Sequence, residues 1–334
     1  MSIEKFVKIH AAKPPDIVIA ISDEPDTASP SKKRLHKSVT RSTQWLKTVT
    51  KGVRGLLACL ASFTELKRVA QLDCDIFASL VGSDNLAARQ AYAGYLLEED
   101  DSGHSIDQLI SGYMIHLNPY SSFPHDQLVN LLDSSLQSLP VTKPRMAACP
   151  SGVVQLLRLI RDVGLDIFVD DWSYSLATLG VALDFDFPAP PKLNKGLLGI
   201  NLFRTEYKQS FVPLSSSSLA TESTARQPTT RAYLHHLLTT HEMTAHVLLA
   251  LHNTRIMRTL MERVRSSIKT GSFAEHVLEF EVAYEEECSA AHEAKEMLTA
   301  VELERGKGRM KRERERELAA QIQDTDSLPI RNEG

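Results

Sequence analysis

Apolar side chains recur at helical spacing from Leu234 through Leu238, Ala245, Leu249 and His252 to Ile256, which places them on one helix face. Thr230 stands just before the run, and its hydroxyl suits an N-cap. No Gly or Pro interrupts it before Gly271. The spacing predicts one long amphipathic helix, opened by Thr230-Arg231-Ala232-Tyr233-Leu234-His235-His236-Leu237 and running on through His252-Asn253. Upstream the texture differs. Short apolar runs bounded by turn residues read as strands over residues 16–23, 75–82, 112–115, 143–148 and 165–168. Helical periodicity falls between them, over 32–51, 86–97, 126–136 and 153–162, and 56–63 is a further apolar stretch. Residues 1–12 carry no clear signal. Strands alternating with helices imply βαβ units and a mostly parallel sheet, open and doubly wound or closed as a β/α barrel; the pattern alone does not choose.

From residue 184 onward the pattern changes to a Pro-rich loop, a strand over 198–203, and a Ser/Thr-rich loop over 215–228 ahead of the long helix. A second helix is expected over 273–303. Residues 307–317 are a mixed-charge run, expected as a solvated helix end, with an RNA-touching tail as the alternative. The last residues are expected to be disordered.

Composition changes the picture little. The 334 residues suffice for one large domain or two ordinary ones, and a net charge of -4 excludes polyanion binding by bulk charge. Any nucleic-acid contact must come from a local patch. Cys59, Cys74, Cys149 and Cys288 are scattered, with no C-x-C or C-x-x-C spacing, and read as reduced thiols in an intracellular protein. No secretory signal and no 18-residue apolar run stands out, so a cytoplasmic location is expected. His241-Glu242-Met243-Thr244-Ala245-His246 superficially suggests a metalloprotease. That chemistry needs two His four apart on one face; five apart on a helix they diverge by roughly 140°.

Thr-Arg-Ala-Tyr-Leu-His-His-Leu with the helix-end His252-Asn253 resembles the C-terminal zinc subdomain of the tRNA-guanine transglycosylases. Other segments match that family in order. They are Pro15-Asp16-Ile17 with Asp23, Thr40-Arg41-Ser42-Thr43-Gln44-Trp45-Leu46, and Ile76-Phe77-Ala78 to Gly82 with Arg89. Leu139-Pro140 with Lys143-Pro144-Arg145, Gly164-Leu165-Asp166-Ile167-Phe168, and Gly180-x-Ala182-Leu183 follow. The resemblance implies an incomplete TIM-type (β/α) barrel over 1–213, a degenerate zinc-binding helical subdomain over 214–304, and a charged tail over 305–334. Relative to the family the chain is expected to be N-terminally truncated.

The departures decide the functional expectation. In the family an Asp directly after the Gly-x-Asp-x-Phe strand is the nucleophile of base exchange; here that position is Val169. Asp170 and Asp171 follow, but a one-residue shift on a strand end turns a side chain to the other face. His116-Leu117-Asn118-Pro119-Tyr120 replaces the family's substrate-cradling glycine loop. The three zinc-ligating Cys positions fall on Thr221, Ser223 and Arg226, leaving His252 as the surviving family ligand. The resemblance therefore implies a non-catalytic accessory chain. Its expected partner is a catalytic queuine tRNA-ribosyltransferase subunit, in a heterodimer that exchanges guanine for queuine at the wobble position (34) of tRNA. The helix carrying Tyr233, His235 and His236 would form the contact, and a peripheral position at the mitochondrial outer surface is a second expected location. The alternatives are a truncated or degenerate product outside base exchange and, further off, an active transglycosylase using Asp170 or Asp171.

Overall fold

A computed structural model describes residues 2–13, 15–25, 29–61, 74–101, 103–148, 150–191, 195–220 and 229–298. The chain divides into two compact units. One comprises Met1–Trp172 with Val264–Glu281, the other Ser173–Arg263 with Val282–Gly334.

In the first unit five strands form one parallel sheet: β1 (Ile17–Ile19), β2 (Asp75–Ser79), β3 (Gly112–His116), β4 (Arg145–Ala148) and β5 (Ile167–Val169). Their spatial order is their sequence order, β1-β2-β3-β4-β5. A doubly wound sheet reverses order at a switch point. A sheet without reversal, with its helices on one side, is the arrangement of consecutive barrel segments, here a curled half barrel. The helices bear this out. α1 (Ile3–Ala12), α2 (Lys32–Ala61), α3 (Leu86–Leu97), α4 (His125–Leu136) and α5 (Val153–Val163) pack each against the next. Their apolar faces join one cluster with Ile76, Ala78, Tyr113, Ile115 and Ala147 of the strands. The alternate strand residues Phe77, Met114, Met146 and Ala148 form a separate small cluster on the opposite face. Both faces are thus apolar, as a parallel sheet requires.

The helix α1 falls where the sequence shows no clear signal; Ser2 caps it, its hydroxyl accepting the Lys5 N–H at 3.3 Å. The apolar stretch beginning at 56 continues α2 to Ala61 instead of starting a new element.

The second unit corrects the expectation of one uninterrupted helix. Its core carries α6 (Trp172–Thr178, opening on the last residue of the first unit) and an antiparallel pair, β6 (Val181–Leu183) and β7 (Gly199–Asn201). Against them lie two helices, α7 (Arg231–Thr239) and α8 (Met243–Thr270), whose last turns belong to the first unit. The break is a Schellman cap made without glycine. His241 takes a left-handed φ of 59°. The Glu242 N–H bonds Leu237 O at 2.8 Å and the His241 N–H bonds Leu238 O at 3.2 Å. Thr239 and Thr240 both donate hydroxyls to His236 O at 2.9 Å, beside the Thr240 N–H that the same carbonyl accepts at 3.0 Å. Leu234, Leu238, Ala245 and Leu249 are still buried together, on two helices instead of one. The helix expected over 273–303 is also broken. α9 (Phe273–Ala283) ends where Tyr284 bridges to Gly196, and helical backbone resumes over 289–298. The mixed-charge run at 307–317 lies outside the described residues.

Candidate functional site

The C-terminal ends of the parallel strands are where a (β/α) barrel presents chemistry. After β1, Asp23 meets two arginines of α2. Arg34 forks onto both carboxylate oxygens at 2.8 and 3.0 Å, and Arg41 reaches Oδ2 at 2.9 Å. The Asp23 N–H donates to Ser42 Oγ at 2.9 Å, and Ser38 Oγ donates to Asp23 O. Sequence inspection singles out Asp23 and Arg41 separately; their pairing across 18 residues, with Arg34 as a second partner 11 residues from Asp23, is seen only in the folded chain.

Next to this knot, after β2, Gly82 has a φ of +139°, and a Cβ there would sit 2.5 Å from Arg89 Cγ. Only glycine allows that approach. Arg89 is 1% exposed, a rare state for arginine. Its Nε donates to Ser83 O at 2.6 Å and its Nη1 to Ser135 Oγ at 2.9 Å, while its guanidinium lies 5.0 Å from the Tyr120 ring centroid. Tyr120 comes from the turn after β3, at the end of His116-Leu117-Asn118-Pro119-Tyr120, and its ring is buried. Burial pushes the carboxyl of Glu24 up to about 7, against the opposing pull of Arg89 and Tyr120. Burial also holds the His116 imidazole below its ordinary value. Glu24 Oε1, Ser83 Oγ and Arg89 Nη2 are buried without a hydrogen-bond partner.

Val169 ends β5 with its side chain 37% exposed. A branched hydrocarbon has no lone pair with which to attack a ribose. Asp170 is half-buried and Asp171 exposed, both in the loop beyond the strand.

In the second unit, Asn253 is fully buried and serves β6. Its Oδ1 accepts the Leu183 N–H at 2.9 Å, and its Nδ2 donates to Val181 O and Ser173 O, each at 3.0 Å. The preceding His252 donates Nε2–H to Leu183 O at 2.9 Å, and burial lowers its pKa. Zinc needs four nitrogen, sulfur or carboxylate donors in tetrahedral array. Among the described residues no group of three or more His, Cys, Asp or Glu is placed to hold a metal. Thr221, Ser223 and Arg226 lie outside the described residues and are not zinc-binding residue types. The donors present among the described residues do not fit a zinc ion.

What pins this region is a carboxylate clasp that the sequence pattern does not reveal. Asp184 Oδ1 accepts Ser215 Oγ at 2.6 Å and the N–H groups of Ser216 and Ser217 at 3.1 and 3.2 Å. Asp186 Oδ1 accepts the Ser218 N–H at 2.7 Å and its hydroxyl at 2.6 Å. Arg231, at the start of α7, reaches Asp184 Oδ2 at 3.3 Å.

Of the three side chains expected on a contact surface, Tyr233 and His236 are exposed. His235 is not: it is 7% exposed and donates to Leu202 O at 2.8 Å, because its position faces β7. His246 likewise bonds Ala177 O at 3.1 Å, so the His241/His246 pair is split between a helix cap and a packed face. The conspicuous open surface lies one face away. Met243, Val247 and Leu251 follow at i, i+4 and i+8 and are 83, 57 and 60% exposed. With Tyr174 and Arg255 they line a groove of about 570 Å3. No described helix is long and apolar enough to cross a membrane.

These features define a parallel half-barrel chain whose strand ends carry ion-paired and buried polar side chains. The family model "Queuine tRNA-ribosyltransferase" matches residues 1–286, and the chain belongs to that family. It is 29% identical over 292 residues to the queuine tRNA-ribosyltransferase accessory subunit 2 of Schizosaccharomyces pombe, covering 86% of this chain and 58% of that protein. Proteins of the same name from Drosophila mojavensis and Drosophila pseudoobscura pseudoobscura are 25 and 27% identical, each over 80% of this chain and 60 and 59% of their own length. The chain thus spans less than two thirds of the curated relatives it matches.

Proposed function

We propose that this chain acts as a non-catalytic accessory subunit in a queuine tRNA-ribosyltransferase complex, which exchanges guanine for queuine at position 34 of tRNAs with GU(N) anticodons. The observation that carries this reading is Val169, an aliphatic side chain at the strand end where the exchange nucleophile is expected. The accessory-subunit name of the relatives supports it. The exposed Met243–Val247–Leu251 ridge supports a partner, since contiguous apolar surface of this kind is uncommon on a solitary protein. The catalytic subunit is its proposed occupant, in a heterodimer of cytoplasmic location or peripheral to the mitochondrial outer surface. The second unit is proposed to be held by the Asp184/Asp186 clasp in place of zinc.

Co-expression with the catalytic subunit tests the reading. A stoichiometric complex that exchanges guanine only when both chains are present is the expected result. A chain that remains unpaired, or exchanges guanine alone, would overturn it.

A further inference from the structure

The 30 residues of α2 contain eight Lys or Arg and no Asp or Glu. Since the whole chain is -4, the remaining residues carry -12. Positive charge is therefore concentrated on one element of a mildly acidic protein. Arg34 and Arg41 are spent on Asp23. Lys33, Lys37 and Lys47 are exposed, and among the described residues none of them joins an ion pair. With His36, Thr40 and Gln44, also exposed, they occupy an arc of roughly 100° at 100° per residue. The opposite face, Leu35, Val39, Leu46 and Val49, is buried in the core, so the stripe's orientation to solvent is fixed.

We infer that this stripe is a docking surface for the phosphate backbone of a folded RNA. It rests on the proposed role in tRNA modification and assigns part of the RNA contact to this chain. Three features select the ligand. Lys33 and Lys47 are about 21 Å apart along the axis at 1.5 Å per residue, too far for one mononucleotide and suited to successive phosphates. The groups between the lysines are imidazole, hydroxyl and amide, which hydrogen-bond phosphate and sugar oxygens without reading sequence. A membrane surface is the competing polyanion, but helices that lie in lipid expose an apolar face. Here the apolar face is internal, and Trp45, beside the stripe, is half-buried with Arg41 5.7 Å from its ring centroid.

The test uses the full chain with an unmodified tRNA transcript, titrated between roughly 50 and 200 mM salt. The triple variant Lys33→Gln, Lys37→Gln, Lys47→Gln is expected to weaken binding about tenfold or more. It should also flatten the log–log salt dependence by about one unit per lysine lost. The variant Lys208→Gln, Arg265→Gln, Lys269→Gln removes the same charge elsewhere and is expected to leave affinity and slope unchanged. Equal losses in both triples, no loss in the first, or binding to phosphatidylserine vesicles in preference to tRNA would overturn the inference. Pairing with the catalytic subunit is measured on the same samples. A chain that pairs but does not bind tRNA through α2 sinks this inference alone; one that binds tRNA through α2 without pairing sinks the accessory-subunit reading alone.

Discussion

Asn253 completes the hydrogen bonding of β6 at Leu183, accepting its backbone N–H at 2.9 Å while donating to Val181 O two residues away. The carboxamide acts as a substitute strand, with acceptor and donor in register against a two-stranded sheet that would otherwise bury unpaired backbone groups. Removing it takes away the partner of the Leu183 N–H and of the Val181 carbonyl at a fully buried site. Asn253→Ala is expected to destabilise the second unit by about 3 kcal/mol or more. Asn253→Asp should cost a comparable amount, because a carboxylate keeps the acceptor, loses both donated bonds and buries a charge. Urea unfolding of both variants checks this; a mild effect of Asn253→Asp would mean that the donated bonds contribute little.

Glu24 sets a pH dependence in the first unit. Its carboxyl stays protonated up to about 7 when folded and ionises near 4.5 when unfolded, so between those values the folded state binds more protons. The resulting stability is complete below pH 4.5 and is lost as pH rises through 7, amounting to roughly 3 kcal/mol at most. Glu24→Gln should flatten the profile in this window, which denaturant midpoints at pH 5 and pH 8 would reveal. An unchanged slope would place the dependence elsewhere.

The carboxylate clasp predicts indifference to chelators. Thermal unfolding should be the same with and without a strong zinc chelator, and metal analysis of the purified chain should find well under one zinc per molecule. Asp184→Ala with Asp186→Ala should lower stability by about 2–4 kcal/mol, since several bonds to charged acceptors are lost together. Stoichiometric zinc, or a chelator-induced fall in the melting temperature, would count against the clasp.

The exposed ridge on α8 predicts that Val247→Glu with Leu251→Glu leaves the monomer's unfolding nearly unchanged, because both side chains are more than half exposed. The same pair should weaken assembly with the catalytic subunit by tenfold or more, as a charge desolvated in an apolar contact does. Co-purification yield and sedimentation of the mixed chains measure it.

Local signals made much of the first unit legible. The periodicity over 86–97 coincides with α3, the run over 75–82 contains β2, the run over 112–115 falls within β3, and Val153 opens α5 as expected. What short-range pattern could not provide was the choice between barrel and doubly wound sheet. That depends on strand order, which no single βαβ unit encodes. The break at His241 was hidden for another reason. A left-handed cap is ordinarily announced by Gly or Asn, and here two threonines and a histidine achieve it through hydrogen bonds. At the site, the identity of Val169 was readable directly. The fate of Asp23, Glu24 and Arg89 was not, because each is defined by partners from other elements.

An acid-free α2 has a mechanical consequence. Lys32, Lys33 and Arg34 crowd the positive end of the helix dipole, and Ser31 Oγ caps that end by accepting the Arg34 N–H at 3.3 Å. The helix is thus held in place by its buried side against a standing electrostatic pressure along its outer side. A polyanion laid on that side would relieve the pressure, so occupancy of the stripe and stability of the first unit are expected to rise together.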